Sequence, residues 1–278
     1  MTQQLLRTAL GAATRPSRAA VIAVTLLGLV VVGFNLSAPG ARVASASVDR
    51  CSAPDEITAL SAPLPHTAQR LAEGKALTIV ALGSSSTYGT GASKPENTYP
   101  NRLAALLQAR FPDAEIRVLN RGVGGELGTG TFARIARDVL PEKPDLVIWQ
   151  IGTNEVLHDL TPDAAMRAVR AGIDQIRRAG ADVVLMDVQY APAVLMHARY
   201  REMERALWAT ARATGVPMFR RFALMRDWAE HGNMKMSAMV GPDRLHMTDA
   251  SYDCLARQLN ASILRDARGT ITAAATRG

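Results

Sequence analysis

One apolar run ends abruptly in hydroxyl side chains: Leu77-Thr78-Ile79-Val80-Ala81-Leu82-Gly83-Ser84-Ser85-Ser86-Thr87. A short apolar run that is bounded by a turn signal is typical of a buried strand. Because the serines follow this strand directly, they are expected at the carboxyl end of a parallel sheet, where open α/β folds bind their ligands. Ser85 is therefore the first candidate for a functional side chain.

Downstream of this strand the chain alternates between strand and helix patterns. The predicted strands span residues 115–119, 145–151, 181–186 and 216–219, and the predicted helices span residues 101–111, 131–140, 162–179, 195–214 and 249–265. Strands separated by helices of this length predict βαβ units and a parallel sheet that helices cover on both faces. The sequence therefore predicts one α/β domain over residues 75–268, with residues 47–74 as a linker or lead-in and residues 269–278 as a flexible tail.

The N-terminal region has the pattern of an export signal. Residues 19–36 are uncharged and largely apolar, and Arg15 and Arg18 precede them. Residues 43–46 (Val-Ala-Ser-Ala) offer the small side chains of a signal-peptide cleavage site. The apolar run is also close to the minimum length that crosses a bilayer, so an uncleaved membrane anchor remains an alternative. Both interpretations make residues 1–46 a signal peptide or anchor, and predict a periplasmic or secreted protein.

The charge distribution gives no indication of a nucleic-acid partner. The formal net charge is +7, but residues 1–50 contain five arginines against a single aspartate, so more than half of the excess lies there. Neither a Lys/Arg block nor a basic stripe interleaved with aromatic residues is visible. The composition, 48% apolar and 21% charged, is typical of a globular protein with a substantial core.

The chain contains two cysteines, Cys51 and Cys254. In an exported chain an even number of cysteines favours a disulfide, and here only one intramolecular pairing is available. Such a bond would tie the start of the mature chain to the helix predicted over residues 249–265. Two cysteines without clustered histidines give no zinc pattern, and no metal site is predicted.

Ser85 has two possible partners near the end of the chain, Asp243 and His246. A serine hydroxyl is a weak nucleophile until a neighbouring base accepts its proton, and a histidine oriented by a carboxylate is such a base. The alternative for the serine cluster is a polar turn or a phosphate-binding loop. The phosphate-binding P-loop requires a lysine that is missing here, and Thr87 breaks the G-x-S-x-G nucleophile-elbow pattern.

Two further segments could stabilise a negatively charged oxygen. Residues 122–125 (Gly-Val-Gly-Gly) let the backbone approach closely and offer the N–H of Gly125, and Asn154 adds a side-chain N–H. The glycines do not have the spacing of a dinucleotide-binding loop, so that alternative is disfavoured. Glu155 and His158, next to Asn154, are interpreted as pocket-lining or structural polar groups.

In this order the four segments resemble the sequence blocks of the SGNH hydrolase superfamily, the GDSL esterases and lipases, over about residues 77–266. Ser85 matches the nucleophile, whose N–H also serves the oxyanion hole; Gly125 and Asn154 match the other two oxyanion donors. Asp243 and His246 match the Asp-x-x-His block. The resemblance implies a flavodoxin-like three-layer α/β/α sandwich with a sheet of about five strands, and a serine mechanism without metal or cofactor.

Two positions depart from the family pattern, because Ser84 and Glu155 stand where the family usually has aspartate. Neither matches a catalytic group, so the predicted function is an exported serine esterase that acts on a small-molecule or glycan ester, such as acetylated envelope glycan. An O-acetyltransferase acting on envelope glycan remains an alternative, since it would use the same site with a sugar hydroxyl as acceptor. A non-catalytic glycan-binding protein is the third hypothesis.

Overall fold

A computed structural model describes residues 49–231 and 234–275 of the chain, and these include five parallel strands in one sheet. The strands are β1 (Leu77–Gly83), β2 (Ile116–Gly122), β3 (Leu146–Gln150), β4 (Asp182–Met186) and β5 (Met218–Phe219). Their order in the sheet is β2-β1-β3-β4-β5. Since β1 lies between β2 and β3, the loops after these three strands meet at one end of the sheet.

The helices fill the connections between the strands. They are α1 (Asp55–Thr58), α2 (Pro65–Ala72), α3 (Ser85–Tyr88), α4 (Tyr99–Arg110), α5 (Gly128–Ala133), α6 (Ile135–Asp138), α7 (Thr153–Leu157), α8 (Asp163–Arg178), α9 (Pro192–Leu195), α10 (Tyr200–Thr214), α11 (Arg221–Glu230), α12 (Met236–Met239) and α13 (Asp249–Ala275). Short 3-10 turns span Pro95–Asn97 and Leu140–Glu142. Most of these elements are short; the long helices are α4, α8, α10 and α13.

The sheet forms the middle of three layers. Helix α13 packs against α2 and α4, while α8 packs against α5 and α10. Consecutive residues of β1 and of β3 are buried, so side chains on both faces of the sheet are covered. Each fully buried apolar side chain of this kind contributes about 1.5–3 kcal/mol to folding. The predicted α/β fold with a five-stranded parallel sheet is confirmed.

Several element boundaries differ from the prediction. The helix predicted over residues 195–214 begins only at Tyr200, as α10, and the helix predicted over residues 131–140 is divided between α5 and α6. The last helix was expected to end near residue 265, but α13 continues to Ala275. Residues 276–278 of the predicted tail lie outside the described residues.

The segment interpreted as a linker or lead-in contains a structured element. Helix α2 buries Thr67, Ala68 and Leu71 and packs against α13, so it is part of the domain core. Helix α11 was not predicted either, and it buries most of its residues. The hydrophobic core therefore begins well before β1.

Cys51 and Cys254 form a disulfide with a Cα–Cα distance of 4.8 Å. Both residues are buried, and the bond joins the segment before α1 to helix α13 across 203 positions of sequence. The predicted pairing is therefore present in the structure. No helix among the described residues combines the length and apolar character needed to cross a membrane. Residues 19–36, predicted as a signal or anchor, lie outside the described part of the chain.

Candidate active site

The structure brings Ser85, His246 and Asp243 together, although 161 positions separate the serine from the histidine. Ser85 lies directly after β1 at the start of α3, and the other two residues lie in the loop between α12 and α13. His246 Nε2 is 2.8 Å from Ser85 Oγ, and His246 Nδ1 is 2.6 Å from Asp243 Oδ2. This continuous chain of hydrogen bonds has the geometry of a nucleophile, a base and an orienting acid.

The loop that carries Asp243 is held by its own hydrogen bonds. Asp243 Oδ1 accepts the backbone N–H groups of Leu245 and His246, both at 3.0 Å. Arg244 between them has a left-handed backbone (φ 62°), and Gly241 N–H donates to the His246 carbonyl at 2.8 Å. Burial acts to raise the pKa of Asp243, but the bonds from Leu245 and His246 outweigh it and hold the pKa below its usual value. The carboxylate therefore stays charged beside the imidazole.

The turn before Ser85 is tied to the neighbouring strand β3. Ser84 is buried, and both its N–H and its hydroxyl donate to Gln150 Oε1 at 2.9 Å. A Cβ at Gly83 would lie only 2.8 Å from the same Gln150 oxygen, so the glycine permits this close approach. The departure from the family pattern at Ser84 thus has a local explanation: at this position a hydroxyl donates to a buried glutamine.

Gly125 lies in the loop after β2, and Asn154 lies in α7, the short helix after β3; β2 and β3 flank β1 in the sheet. Gly125 has φ +74° and faces open space, and among the described residues neither its N–H nor that of Ser85 donates to a protein acceptor. Val123 N–H donates to the Gly83 carbonyl at 3.0 Å, which attaches the glycine loop to the end of β1. Asn154 is 6% exposed, and Nδ2 donates one of its hydrogens to the Glu126 carbonyl at 2.8 Å.

An ion pair that the sequence analysis did not single out holds the glycine loop. Arg134 is buried and donates from Nε to both carboxylate oxygens of Glu126, at 2.9 and 2.8 Å. Its Nη2 also donates to the carbonyls of Arg121 (2.7 Å) and Gly83 (3.2 Å). One guanidinium therefore connects the ends of β1 and β2 to the residue that follows Gly125.

A second buried arginine, Arg221, contacts residues next to Ser85 and next to Asn154. It is fully buried; Nη1 donates to Ser86 Oγ (2.9 Å), Nη2 to Thr153 Oγ1 (3.3 Å) and Nε to the Asp187 carbonyl (3.0 Å). Burial lowers the pKa of Arg221 to about 10, so the guanidinium remains protonated at neutral pH. Ser86 adjoins Ser85, and Thr153 adjoins Asn154. This arginine therefore holds both segments in place from the interior of the protein.

Glu155 has the structural role that the sequence analysis favoured. Its carboxylate is buried and accepts the N–H of Gly128, which stands at the start of α5. Burial raises the pKa of Glu155, and the Gly128 bond opposes this shift only in part. Within the described residues, no group of three or more His, Cys, Asp or Glu side chains is placed to hold a metal ion.

A family model described as the Non-GDSL lipase-like family matches residues 50–269. The chain belongs to this family. The match begins next to Cys51 and includes helices α1 and α2, in agreement with a domain core that starts before β1. The family description also agrees with residues 83–85 (Gly-Ser-Ser), which lack the aspartate of a Gly-Asp-Ser block. The predicted resemblance to the GDSL group of hydrolases is thus confirmed.

Two curated relatives align with part of the chain. Esterase TesA from Pseudomonas aeruginosa is 32% identical over 90 residues, which cover 32% of this chain and 45% of TesA. An acetylxylan esterase from Geobacillus stearothermophilus is 39% identical over 74 residues, which cover 27% of this chain and 31% of that enzyme. The alignments therefore span less than half the length of these relatives.

Solved structures share the fold over most of the chain. A two-domain esterase active on acetylated mannans superimposes with a TM-score of 0.63 at 21% identity, over 76% of this chain and 56% of that one. The crystal structure of TesA gives a TM-score of 0.56 at 24% identity, over 68% of this chain and 99% of that one. The acetylxylan esterase Axe2 gives 0.57 at 23%, over 68% and 95%. At these identities the likeness establishes the three-layer fold.

Proposed function

We propose that the protein is an exported serine esterase that hydrolyses small or carbohydrate-linked acyl esters, acetyl esters in particular. The observation that carries the proposal is the hydrogen-bonded series Ser85–His246–Asp243, with bonds of 2.8 and 2.6 Å. Distances in this range allow the imidazole to take the hydroxyl proton as the oxygen attacks. Two sequence relatives and one protein of the same fold are esterases, which supports the same class of reaction.

In the first half of the reaction Ser85 Oγ attacks the ester carbonyl carbon while His246 Nε2 accepts the hydroxyl proton. Asp243, held charged by its loop, stabilises the imidazolium through Nδ1. The tetrahedral intermediate then collapses, the bond to the alcohol oxygen breaks, and His246 returns the proton to that alcohol. In the second half a water molecule attacks the acyl-serine by the same route, which releases the carboxylic acid and restores Ser85.

The negative charge that develops on the carbonyl oxygen needs donors that are positioned beforehand. We assign this role to the N–H groups of Ser85 and Gly125 and to the side-chain amide of Asn154. Two observations support the assignment: the two backbone N–H groups have no protein acceptor among the described residues, and Asn154 uses one N–H for Glu126 and keeps the second. Such preformed donors require little rearrangement when the charge appears.

Export is the remaining element of the proposal. Residues 19–36 have the composition of a signal or anchor, and the Cys51–Cys254 disulfide is a bond that persists in oxidising compartments such as the periplasm and the cell exterior. Two compared proteins support the proposed substrate class: one is an acetylxylan esterase, and the other is active on acetylated mannans. An exported esterase of this kind would meet acetylated glycan outside the cytoplasm.

The decisive test compares the oxidised wild-type protein with Ser85→Ala and with Ser237→Ala, a matched loss of an exposed hydroxyl outside the triad. Hydrolysis of p-nitrophenyl acetate should fall by about 10⁴-fold or more in Ser85→Ala alone. A fluorophosphonate probe should label the wild type and Ser237→Ala but not Ser85→Ala. Activity that survives in Ser85→Ala would reject the assignment. Free acetate, rather than acetyl transferred to an added glycan, would identify hydrolysis.

A further inference from the structure

Exposed apolar side chains are concentrated at the edge of the sheet that carries Ser85. In the described part of the chain the large apolar side chains that remain exposed are Tyr88, Val123, Leu160 and Met196. They follow the carboxyl ends of β1, β2, β3 and β4 respectively. Single exposed apolar residues are ordinary on a protein surface, so their position alone assigns no ligand contact.

Tyr88 is the aromatic member of this group, and it lies in the same helix as Ser85. Three positions separate the two residues in α3, so they share a helix face at a rise of about 4.5 Å. Tyr88 is 63% exposed, and its backbone packs tightly against Gly122 at the end of β2. The ring is therefore presented to solvent from a fixed backbone, one helical turn from the nucleophile.

A recess of about 350 Å³ lies beside Tyr88, a size within the range of small-molecule sites. Its other walls include the polar side chains of Lys94, Asn101 and Asn120. The segment that forms one wall runs past the triad, because a Cβ built on Gly91 would lie 3.1 Å from the Cβ of His246. The recess thus lies one helical turn from Ser85, and the segment that forms one of its walls passes close to His246.

The side chains that line the recess indicate which kind of ligand it can bind. A lipid chain requires walls that are apolar throughout, whereas this recess combines one aromatic ring with an ammonium group and side-chain amides. A sugar ring matches that combination, because its C–H face stacks on an aromatic ring and its hydroxyls accept and donate hydrogen bonds around the rim. Asn120 is partly engaged, since its Nδ2 donates to the Tyr88 carbonyl at 3.2 Å. Asn101 Nδ2 likewise donates to the Pro95 carbonyl at 2.7 Å, which leaves the Asn101 Oδ1 and the Lys94 ammonium for a ligand.

We propose that this recess is the subsite for the sugar residue whose hydroxyl carries the acyl group, with the Tyr88 ring as its stacking platform. The inference rests on the proposed esterase function and extends it to the leaving group. The sugar lies on the α3 side of Ser85, and the alcohol oxygen that departs lies between Ser85 and His246. The short acyl group itself needs no contact with Tyr88.

The test uses the intact oxidised protein with two substrates, an acetylated xylo-oligosaccharide and p-nitrophenyl acetate. Tyr88→Ala should lower the ratio of the two kcat/KM values, oligosaccharide over p-nitrophenyl acetate, by about tenfold, chiefly through the oligosaccharide KM. Tyr88→Phe keeps the ring and should keep the wild-type ratio. Leu160→Ala, which removes an exposed apolar side chain of the same edge outside the recess, is the matched control and should also keep that ratio.

A binding measurement separates this proposal from the esterase proposal. In the Ser85→Ala background, calorimetric titration with the acetylated oligosaccharide should give a Kd about tenfold higher when Tyr88→Ala is added. An unchanged Kd and an unchanged substrate ratio would overturn the subsite while leaving ester hydrolysis intact. An equal loss in Leu160→Ala would also overturn it, since the effect would then belong to the edge as a whole. If Ser85→Ala still hydrolyses p-nitrophenyl acetate, the esterase proposal fails and the titration alone decides the subsite.

Discussion

The side-chain amide of Asn154 donates to the backbone carbonyl of Glu126, and the two atoms are 2.8 Å apart. Glu126 directly follows Gly125, so this bond joins the two segments assigned to the oxyanion hole. An amide group is planar, and a bond from one of its N–H groups therefore sets the direction of the other. The orientation of Asn154 consequently depends on the position of the glycine loop.

Replacing Asn154 with alanine should lower kcat for p-nitrophenyl acetate by about 10²–10³-fold, because a charge-stabilising donor is lost. KM should change far less, since the donor acts mainly on the transition state. Steady-state kinetics on the folded variant, with its circular dichroism matched to the wild type, provide the measurement. A loss smaller than about fivefold would remove Asn154 from the oxyanion hole.

Arg134→Lys should reduce kcat by about tenfold, because a lysine cannot reproduce the forked contacts to Glu126 and to the carbonyls of Gly83 and Arg121. The matched control is Arg137→Lys, in which the side chain is 76% exposed and pairs with Asp138. Kinetics of both variants would be compared with their melting temperatures. A drop in Tm without a drop in kcat would mean that Arg134 supports only the fold.

Asp243→Asn should lower kcat at neutral pH by about 10³–10⁴-fold, because an amide can hold the wrong tautomer of His246 and cannot stabilise the imidazolium. The pKa of Asp243 lies below its usual value, so its contribution to stability is present above about pH 4 and is lost as the pH falls through the folded pKa. The Tm difference between wild type and variant should therefore shrink in acid. A difference that is constant with pH would contradict this sign.

Glu155→Gln should become more stable relative to the wild type as the pH rises. The raised pKa of Glu155 means that the unfolded chain releases this proton first, so the wild type loses stability from about pH 4.5 up to the folded pKa. The glutamine keeps an oxygen that can accept from Gly128. Thermal melts of both proteins between about pH 4 and pH 8 test the trend, and parallel curves would refute it.

Removal of the disulfide in a Cys51→Ser/Cys254→Ser variant should cost up to about 5 kcal/mol of unfolding free energy, since the closed loop is long. The triad lies apart from the sulfurs, so the variant should retain its turnover below the new Tm. Addition of a reductant should reproduce the loss in the wild type and leave the double variant unchanged. An unaltered denaturation midpoint in the variant would show that packing of α13 alone holds this end of the domain.

Strands β1 and β3 could be predicted almost to the residue, because strands buried on both faces are continuous apolar runs bounded by glycine and proline. Helix α11 could not, because it buries most of its circumference, Arg221 included, and so has no amphipathic period to detect. Helix α2 is only eight residues long and lies in a segment whose composition predicted a linker or lead-in. Continuously apolar strands and amphipathic helices can therefore be recognised from the sequence, whereas short helices and helices buried on all sides cannot.

The proximity of Ser85, Asp243 and His246 could be predicted, because the matched sequence blocks place the serine after β1 and the Asp–His pair just before the last helix. Arg134 and Arg221 could not be predicted in the same way. Their partners include backbone carbonyls and hydroxyls from distant loops, which leave no pattern in the sequence around the arginine. Arginine is also among the residues most often found at the surface, so a buried one is recognised only in three dimensions.

The placement of Asp243 and His246 on one self-bonded loop reduces the number of parts that must come together. In a triad drawn from three separate loops, each member can drift independently, and all three positions must be correct at once. Here the proposed acid and base lie on one loop, in which Asp243 Oδ1 accepts the backbone N–H of His246 itself. Assembly of the proposed site then requires only that this loop meets the segment after β1, and the distance from His246 Nε2 to Ser85 Oγ reports whether the two have come together.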